Sequence, residues 1–236
     1  MIKSVMFDLD DTIFDHKYSR LCALLDLKSK NKFLSKVPIE KLEREHEILL
    51  VGNYTKVLDK VLTINDSMIE RTFLLFQNCG IRITEDEAVK YTDIFRQEYE
   101  NNRRGIPGVK ELLMALKKSV KVGIVSNGTY DIQMEKVRIC QVEDLIDFII
   151  LSEEVGFRKP DKAIFQKALS KCNAKPEEAI FIGDSWNSDI IGASDCGIKT
   201  AWLNRYNYSN LNDGLAYEIQ SYEDIAGILN YIQMAM

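Results

Sequence analysis

Two aspartates near the start of the chain have the type and spacing for metal or covalent chemistry. In the segment DLDDT, residues 8–12, the side chains of Asp8 and Asp10 project to one side of an extended chain while Leu9 points away. Two carboxylates held that close repel each other unless a cation or a shared proton lies between them. The pair therefore suits a hard cation such as Mg²⁺, with one carboxylate as a nucleophile and the other as a proton donor. The alternative is a strand that ends in an acidic turn.

Two more polar segments offer partners for an anion. In VSNG, residues 125–128, the hydroxyl of Ser126 and the backbone N–H groups near Asn127 suit an oxyanion or a phosphate, although an ordinary helix N-cap explains them as well. In RKPD, residues 158–161, Lys159 would bring a fixed positive charge to a phosphate. Its alternative is a solvated lysine beside a proline that begins a helix.

A fourth segment, GDSWNSD at residues 183–189, adds two acids. Asp184 directly follows an apolar run and offers a ligand for a cation, and Asp189 offers a partner for the lysine or for metal-bound water. The alternatives are a turn aspartate and an acid favoured by the dipole of a predicted short helix over residues 189–196. Together the four segments supply carboxylates, a hydroxyl and an amine, but no imidazole.

Each of these segments follows a predicted strand. Apolar, β-branched runs alternate with helical periods, which predicts an α/β fold with a Rossmann-like open parallel sheet covered on both faces. The carboxyl ends of such strands are where open α/β sheets bind ligands. The predicted strands span residues 4–8, 120–126, 148–151, 179–183, 200–203 and 217–220.

Helical spacing dominates residues 17–101, where strand-like runs are scarce. This stretch is long enough to form a small domain of its own. We therefore predict an α/β core built from residues 1–16 and 102–236, with an all-helical insertion between its first strand and the rest of the sheet.

Composition excludes several classes of protein. Lys and Arg number 31 against 36 Asp and Glu, with no long basic block, so a nucleic acid polymer is not an expected partner. Charged residues interrupt every apolar run, and the first residues lack the pattern of a signal peptide, so we expect no membrane span and a cytoplasmic protein. The five scattered cysteines predict neither disulfides nor a zinc site, and with only two histidines any metal must be bound mainly by oxygen.

In this order, DLDDT, VSNG, KPD and GDSWNSD resemble the four motifs of the haloacid-dehalogenase-like hydrolase superfamily. The helical insertion resembles the movable cap of that superfamily. Within it, the stretches DLDDTIFD, SEEVGFRKPDKAIF, GDSWNSDIIGA and TAWLN are most similar to pyrimidine-type 5′-nucleotidase phosphatases. Asp11 stands where many relatives carry Gly, a departure shared with that subgroup.

The resemblance implies a role for each motif residue. Asp8 would attack phosphorus and become an aspartyl phosphate, and Asp10 would act as general acid and then as general base. Asp8, Asp184 and the backbone carbonyl of Asp10 would hold Mg²⁺. The remaining implied residues are Ser126 and Asn127 for phosphate binding, Lys159 for phosphate binding and charge neutralisation, and Asp189 for orienting Lys159 or metal-bound water.

The implied substrate is a small phosphate ester, with nucleoside 5′-monophosphates as the expected class. Phosphoglycolate or sugar-phosphate hydrolysis, a phosphomutase and a 2-haloacid dehalogenase use related motifs, and a non-catalytic binding protein on the same scaffold is a further alternative. Asp10 favours phosphate esters over haloacids, because a departing alkoxide needs a proton whereas a departing halide does not. The motifs do not separate hydrolysis from phosphoryl transfer to a second hydroxyl.

Overall fold

The computed structural model describes residues 1–58, 61–208 and 214–234. The chain divides into two compact units. An α/β unit contains Met1–Asp15 and Arg104–Met236, and a helical unit contains His16–Arg103. Within the described residues, no helix combines the length and the apolar character needed to cross a membrane.

The α/β unit is built on one open sheet of six parallel strands in the order β3-β2-β1-β4-β5-β6. This confirms the predicted α/β fold. The first strand ends one residue earlier than predicted, which makes Asp8 the first residue beyond it. The strands are β1 (Ser4–Phe7), β2 (Lys121–Ser126), β3 (Phe148–Leu151), β4 (Ala179–Gly183), β5 (Lys199–Leu203) and β6 (Tyr217–Ile219).

Helices make up the helical unit and flank the sheet of the α/β unit. In chain order they are α1 (His16–Lys30), α2 (Ile39–Leu58), α3 (Ile64–Asn78), α4 (Glu85–Asn101), α5 (Val109–Leu116), α6 (Tyr130–Ile139), α7 (Ser152–Val155), α8 (Lys162–Cys172), α9 (Gly192–Ser194) and α10 (Ile225–Met234). Short 3₁₀ helices span Leu34–Lys36, Glu143–Leu145 and Pro176–Glu178, and a π-helical segment spans Trp186–Ile191.

The predicted short helix over residues 189–196 begins earlier in the structure than the sequence indicated, so its predicted start was wrong. The π-helical segment begins at Trp186, because Ser185 caps it: the Ser185 hydroxyl accepts a hydrogen bond from the backbone N–H of Ser188 at 3.4 Å. The helix then continues as α9 and stops before Gly197, whose φ of 77° lies in the left-handed region.

The central strands are buried because helices cover both faces of the sheet. Every residue of β1 and β4 is buried, which explains why their sequences are apolar almost throughout. On one face, side chains of Met6, Phe165 and Phe181 join a contiguous core. On β2, Gly123 leaves room for the ring of Phe148 on β3, which would overlap any larger side chain there.

Backbone and side-chain bonds tie together the two points at which the chain leaves the α/β unit and returns to it. The N–H of Asp15 donates to the carbonyl of Arg104 at 3.0 Å, and the N–H of Ile106 donates to the carbonyl of Ile13 at 2.8 Å. The carboxylate of Asp15, which is fully buried, also pairs with Arg104 at 2.8 Å and with Arg205 at 2.9 Å. The insertion therefore starts and ends at one fixed place in the α/β unit.

The helical unit has an apolar core of its own. Side chains from α1, α3 and α4, among them Leu24, Phe76 and Phe95, form one buried cluster. Thr84 begins α4 with a capping box: its hydroxyl accepts from the Glu87 N–H, and the Glu87 carboxylate accepts from the Thr84 N–H. The five cysteines are free thiols, of which Cys140 and Cys172 are buried and the other three are half-buried.

His46 makes the stability of the helical unit sensitive to acid. Its ring is buried and stacks on Phe95 with 5.0 Å between centroids. Burial lowers the pKa of His46 well below 6.5, and repulsion from Arg71 and Arg20 adds to the effect. The folded protein therefore keeps His46 neutral, whereas the unfolded chain binds a proton there below about pH 6.5.

We predict that the free energy of unfolding falls as the pH is lowered below about 6.5, by up to about 1.4 kcal/mol per pH unit from His46 alone. A His46→Phe variant keeps a neutral ring against Phe95 and loses this contribution. Urea unfolding followed by circular dichroism at pH 7.5 and 5.5 measures both proteins. Equal losses of stability in the wild type and the variant would contradict the assignment.

Candidate active site

The turn after β1 places Asp8 at the carboxyl end of a central strand. The Asp8 N–H donates to Ile182 on β4 at 2.9 Å, so Asp8 still follows the path of the strand. The carbonyl of Leu9 then accepts from the backbone N–H groups of Ile13 and Phe14 at 2.9 and 2.8 Å, which closes the turn. Asp11 has a φ of 57° there, a left-handed conformation that Asp adopts more readily than most residues and Gly most readily of all.

Lys159 lies at the centre of the candidate site. Its Nζ is 2.5 Å from Asp8 Oδ1 and 2.6 Å from Asp189 Oδ1, and the residue is 4% exposed. The Asn127 side chain holds its backbone on both sides: Asn127 Oδ1 accepts from the Lys159 N–H at 2.8 Å, and Asn127 Nδ2 donates to the Lys159 carbonyl at 3.1 Å. Lys159 is thus a buried, fixed cation and not a solvated lysine.

Asp189 is oriented by the segment that follows β4. Its carboxylate accepts from the N–H of Ser185 at 3.0 Å, while its own N–H donates to the carbonyl of Ser185 at 2.9 Å. The side chain lies across Gly183, where any β-carbon would overlap it. Gly183 is therefore required because the Asp189 side chain lies where a β-carbon would be. Asp189 itself is fully buried beside Lys159.

Asp184 completes a group of three carboxylates. Oxygen atoms of Asp8, Asp184 and Asp189 all lie within 4.8 Å of one another. The indole N–H of Trp202 donates to the Asp184 carbonyl at 2.8 Å, and the Thr12 hydroxyl lies 3.5 Å from the Asp184 carboxylate. Acids from two distant segments of the sequence, residues 8–12 and 183–189, thus meet at one edge of the sheet.

The charges of this group balance only with a further cation or with bound protons. Burial raises the pKa of Asp8 to about 7 even though Lys159 opposes the shift, and burial together with Asp189 raises the pKa of Asp184 well above its ordinary value. Burial disfavours the ammonium of Lys159, but Asp189 and Asp8 outweigh it and raise its pKa. One ammonium therefore faces three carboxylates, of which Asp8 and Asp189 are buried and Asp184 is half-buried. This excess of negative charge and of oxygen ligands fits a hard divalent cation such as Mg²⁺.

The carboxylate of Asp10 is held by α6 and does not belong to this group of three. Lys136 Nζ lies 2.7 Å from Asp10 Oδ1 and 2.8 Å from Oδ2, and Gln133 Nε2 lies 3.3 Å from Oδ2. Asp8 and Asp10, two residues apart in an extended chain, were expected to project into one pocket. The Asp10 carboxylate pairs with Lys136, and its charge adds, after burial, to the raised pKa of Asp8; that the two carboxylates face one pocket stays a prediction.

Ser126 contacts the same helix. Its hydroxyl accepts a hydrogen bond from Gln133 Nε2 at 2.8 Å, and the residue is buried. Ser126 is not the N-cap of α6, since that position belongs to Thr129. Sequence reasoning missed both Gln133 and Lys136. Their spacing puts them on one face of α6, but only the folded sheet brings that face to Asp10.

The fold agrees with the comparison to known families. A profile of the haloacid dehalogenase-like hydrolases matches residues 5–203. The chain belongs to this family, and its resemblance to the superfamily is confirmed.

Individual relatives show how far the similarity extends. The chain is 30% identical to the glyceraldehyde 3-phosphate phosphatase of Methanothermobacter thermautotrophicus over 209 residues, which are 86% of each protein. It is 36% identical to the pyrimidine 5′-nucleotidase YjjG of Escherichia coli over 102 residues, 43% of this chain and 45% of that protein. The magnesium-bound structure of the HAD-hydrolase YfnB from Bacillus subtilis aligns with 97% of this chain and with 99% of its own chain. The TM-score is 0.72 and the sequence identity is 24%, so this similarity is one of fold.

We predict that Lys159→Met destabilises the metal-free α/β unit by about 3 kcal/mol, because removing one partner of a buried ion pair leaves the other charges uncompensated. The matched control is Lys162→Met, an exposed lysine nearby, for which a change within about 0.5 kcal/mol is expected. Urea unfolding in EDTA can be followed by tryptophan fluorescence, since both tryptophans, Trp186 and Trp202, lie in this unit. Equal stability of the two variants would contradict a structural role for Lys159.

Proposed function

We propose that this protein is a Mg²⁺-dependent phosphatase that hydrolyses small phosphomonoesters through phosphorylation of Asp8. The observation that carries the proposal is the buried ammonium of Lys159 bonded to Asp8, with Asp184 close enough to share a cation with it. A carboxylate nucleophile and a dianionic phosphate repel each other, and this arrangement supplies the positive charge that opposes the repulsion.

In the first step, a carboxylate oxygen of Asp8 attacks phosphorus. A bond forms between that oxygen and phosphorus while the bond from phosphorus to the ester oxygen breaks. Lys159 stabilises the charge on the phosphoryl oxygens, and the Ser126 hydroxyl with the backbone N–H groups near Asn127 binds one of them. The product is an aspartyl phosphate and an alkoxide that needs a proton.

Asp10 serves both halves of the reaction. As a general acid it gives its proton to the departing alkoxide, which leaves as an alcohol. As a general base it then takes a proton from water, whose oxygen attacks the phosphorus of the aspartyl phosphate. The bond between phosphorus and the Asp8 oxygen breaks, so that phosphate leaves and the carboxylate of Asp8 is restored. Asp10 then holds the proton from water and is ready for the next cycle.

Asp8 and Asp184, with the backbone carbonyl of Asp10, are the residues we assign to Mg²⁺. When bound, the ion supplies Lewis-acid stabilisation of the charge that develops on the phosphoryl oxygens. We assign Asp189, whose Oδ1 lies 2.6 Å from Lys159 Nζ, to keeping Lys159 oriented toward Asp8.

We assign the helical unit, which is inserted directly after the Asp8 segment, to the role of a cap that selects the leaving group. The preferred substrates are nucleoside 5′-monophosphates, on the similarity of the four motifs to pyrimidine-type 5′-nucleotidases. Glyceraldehyde 3-phosphate is the second candidate, because the relative with that activity aligns over 86% of both proteins.

A phosphatase screen with and without Mg²⁺ separates these substrates and the other activities. Phosphate release from uridine monophosphate or from glyceraldehyde 3-phosphate, lost on adding EDTA, supports the proposal. Isomerised sugar phosphate without free phosphate would indicate a mutase. Chloroacetate turnover that survives EDTA would indicate a dehalogenase, and no turnover of any ester would indicate a non-catalytic protein.

We predict that Asp8→Asn lowers kcat for phosphate release by about 10⁴-fold or more, the scale expected when a covalent nucleophile is lost. The fold should be retained, because an amide of the same shape replaces the carboxylate. Asp144→Asn, which changes an exposed aspartate in the same way, is the matched control and should keep wild-type activity. Phosphate release near the wild-type rate from a folded Asp8→Asn protein would refute the role of Asp8.

A further inference from the structure

One face of α6 binds the carboxylate of Asp10 in a fixed orientation. Both Asp10 oxygens lie within 2.8 Å of Lys136 Nζ, and Oδ2 also accepts from Gln133 Nε2 at 3.3 Å. The donors and the acceptor are separated by more than one hundred residues in sequence, so the fold as a whole creates this contact. Ion pairs that long, exposed side chains form by chance at a protein surface lack this contact of one ammonium with both carboxylate oxygens.

Gln133 couples this contact to the phosphate-binding turn. The same amide nitrogen donates to the Ser126 hydroxyl at 2.8 Å and lies 3.3 Å from the carbonyl of Asn127. Gln133 is buried, and its side chain occupies the space above Gly128, where a β-carbon would overlap it. The glycine of the VSNG segment is thus explained by the presence of Gln133.

Lys136 is also held from its other side. Its Nζ lies 5.6 Å from the centre of the Phe14 ring, a distance typical of a cation–π contact, and its side chain is 14% exposed. Phe14 belongs to the same turn as Asp10 and is fully buried. Movement of the ammonium is therefore restricted by both the carboxylate and the ring.

We propose that Lys136 and Gln133 are positioning residues that fix the carboxyl group of Asp10, which carries the proton in this step, for proton transfer to the leaving group. The inference rests on the proposed function, in which Asp10 is the general acid. A carboxyl group that rotates freely spends little time within reach of the ester oxygen, and orientation of a reacting group is a large part of enzymatic rate enhancement. Neither residue needs to touch the substrate in this role.

Leaving groups that need no proton provide the test. Alkyl phosphates release a strongly basic alkoxide and depend on the acid, whereas 2,4-dinitrophenyl phosphate releases a stable phenolate and does not. The parameter to compare is kcat/KM, because it covers the steps through departure of the leaving group and excludes the later attack of water.

We predict that Lys136→Met and Gln133→Leu each lower kcat/KM for an alkyl phosphate by about 10–100-fold, a part of the effect of general acid catalysis. With 2,4-dinitrophenyl phosphate, kcat/KM of Lys136→Met should change by less than about threefold. Gln133→Leu also loses its bond to Ser126, so its loss on this ester should be smaller than its loss on the alkyl phosphate. The conservative variant Lys136→Arg keeps a cation and N–H donors and should recover most of the alkyl phosphate activity.

The matched control is Lys117→Met, which removes a lysine that pairs with Asp147 at 3.2 Å, away from the residues of the site. This variant should leave kcat/KM unchanged for both esters. Parallel losses on the two esters in folded Lys136→Met and Gln133→Leu proteins would show a structural or phosphate-binding role and overturn the inference. A wild-type protein inactive on both esters would instead contradict the proposed function, and the inference with it.

Discussion

The site depends on one buried ammonium. Lys159 lies between Asp8 and Asp189, and its ammonium offsets the loss of solvation of these two buried carboxylates. Several otherwise unrelated features serve this contact. Asn127 holds the Lys159 backbone, and Gly183 makes room for Asp189. The need to place one charge therefore explains Asn127 and Gly183.

Sheet topology explains how segments so distant in sequence meet. In the order β3-β2-β1-β4-β5-β6, β1 lies between β2 and β4, so the turns after β1, β2 and β4 emerge side by side at the carboxyl edge of the sheet. The helical unit can be inserted after β1 without disturbing this edge, because Asp15 and Arg104 fix the points of departure and return. One chain can therefore carry both the candidate active site and the inserted helical unit.

The sequence predicted the sheet well because the strands are buried and apolar. The bounds of β3 and β4 match the runs FIIL and AIFIG, which end at glycine or polar residues. The start of the π-helical segment was missed, because it depends on a capping hydroxyl at Ser185 that resembles any other turn serine. Gln133 and Lys136 were missed for a different reason: nothing local marks a helical lysine as the partner of a distant aspartate.

The central claim is that Asp8 forms a covalent bond to phosphorus. The direct measurement is an acid quench during turnover of a phosphate monoester with Mg²⁺, followed by borohydride reduction and peptide mass spectrometry. An aspartyl phosphate is reduced to homoserine, whereas a free carboxylate is not. The account predicts homoserine at position 8, dependent on substrate. Turnover that proceeds with unmodified Asp8, or with homoserine at another aspartate, would contradict it.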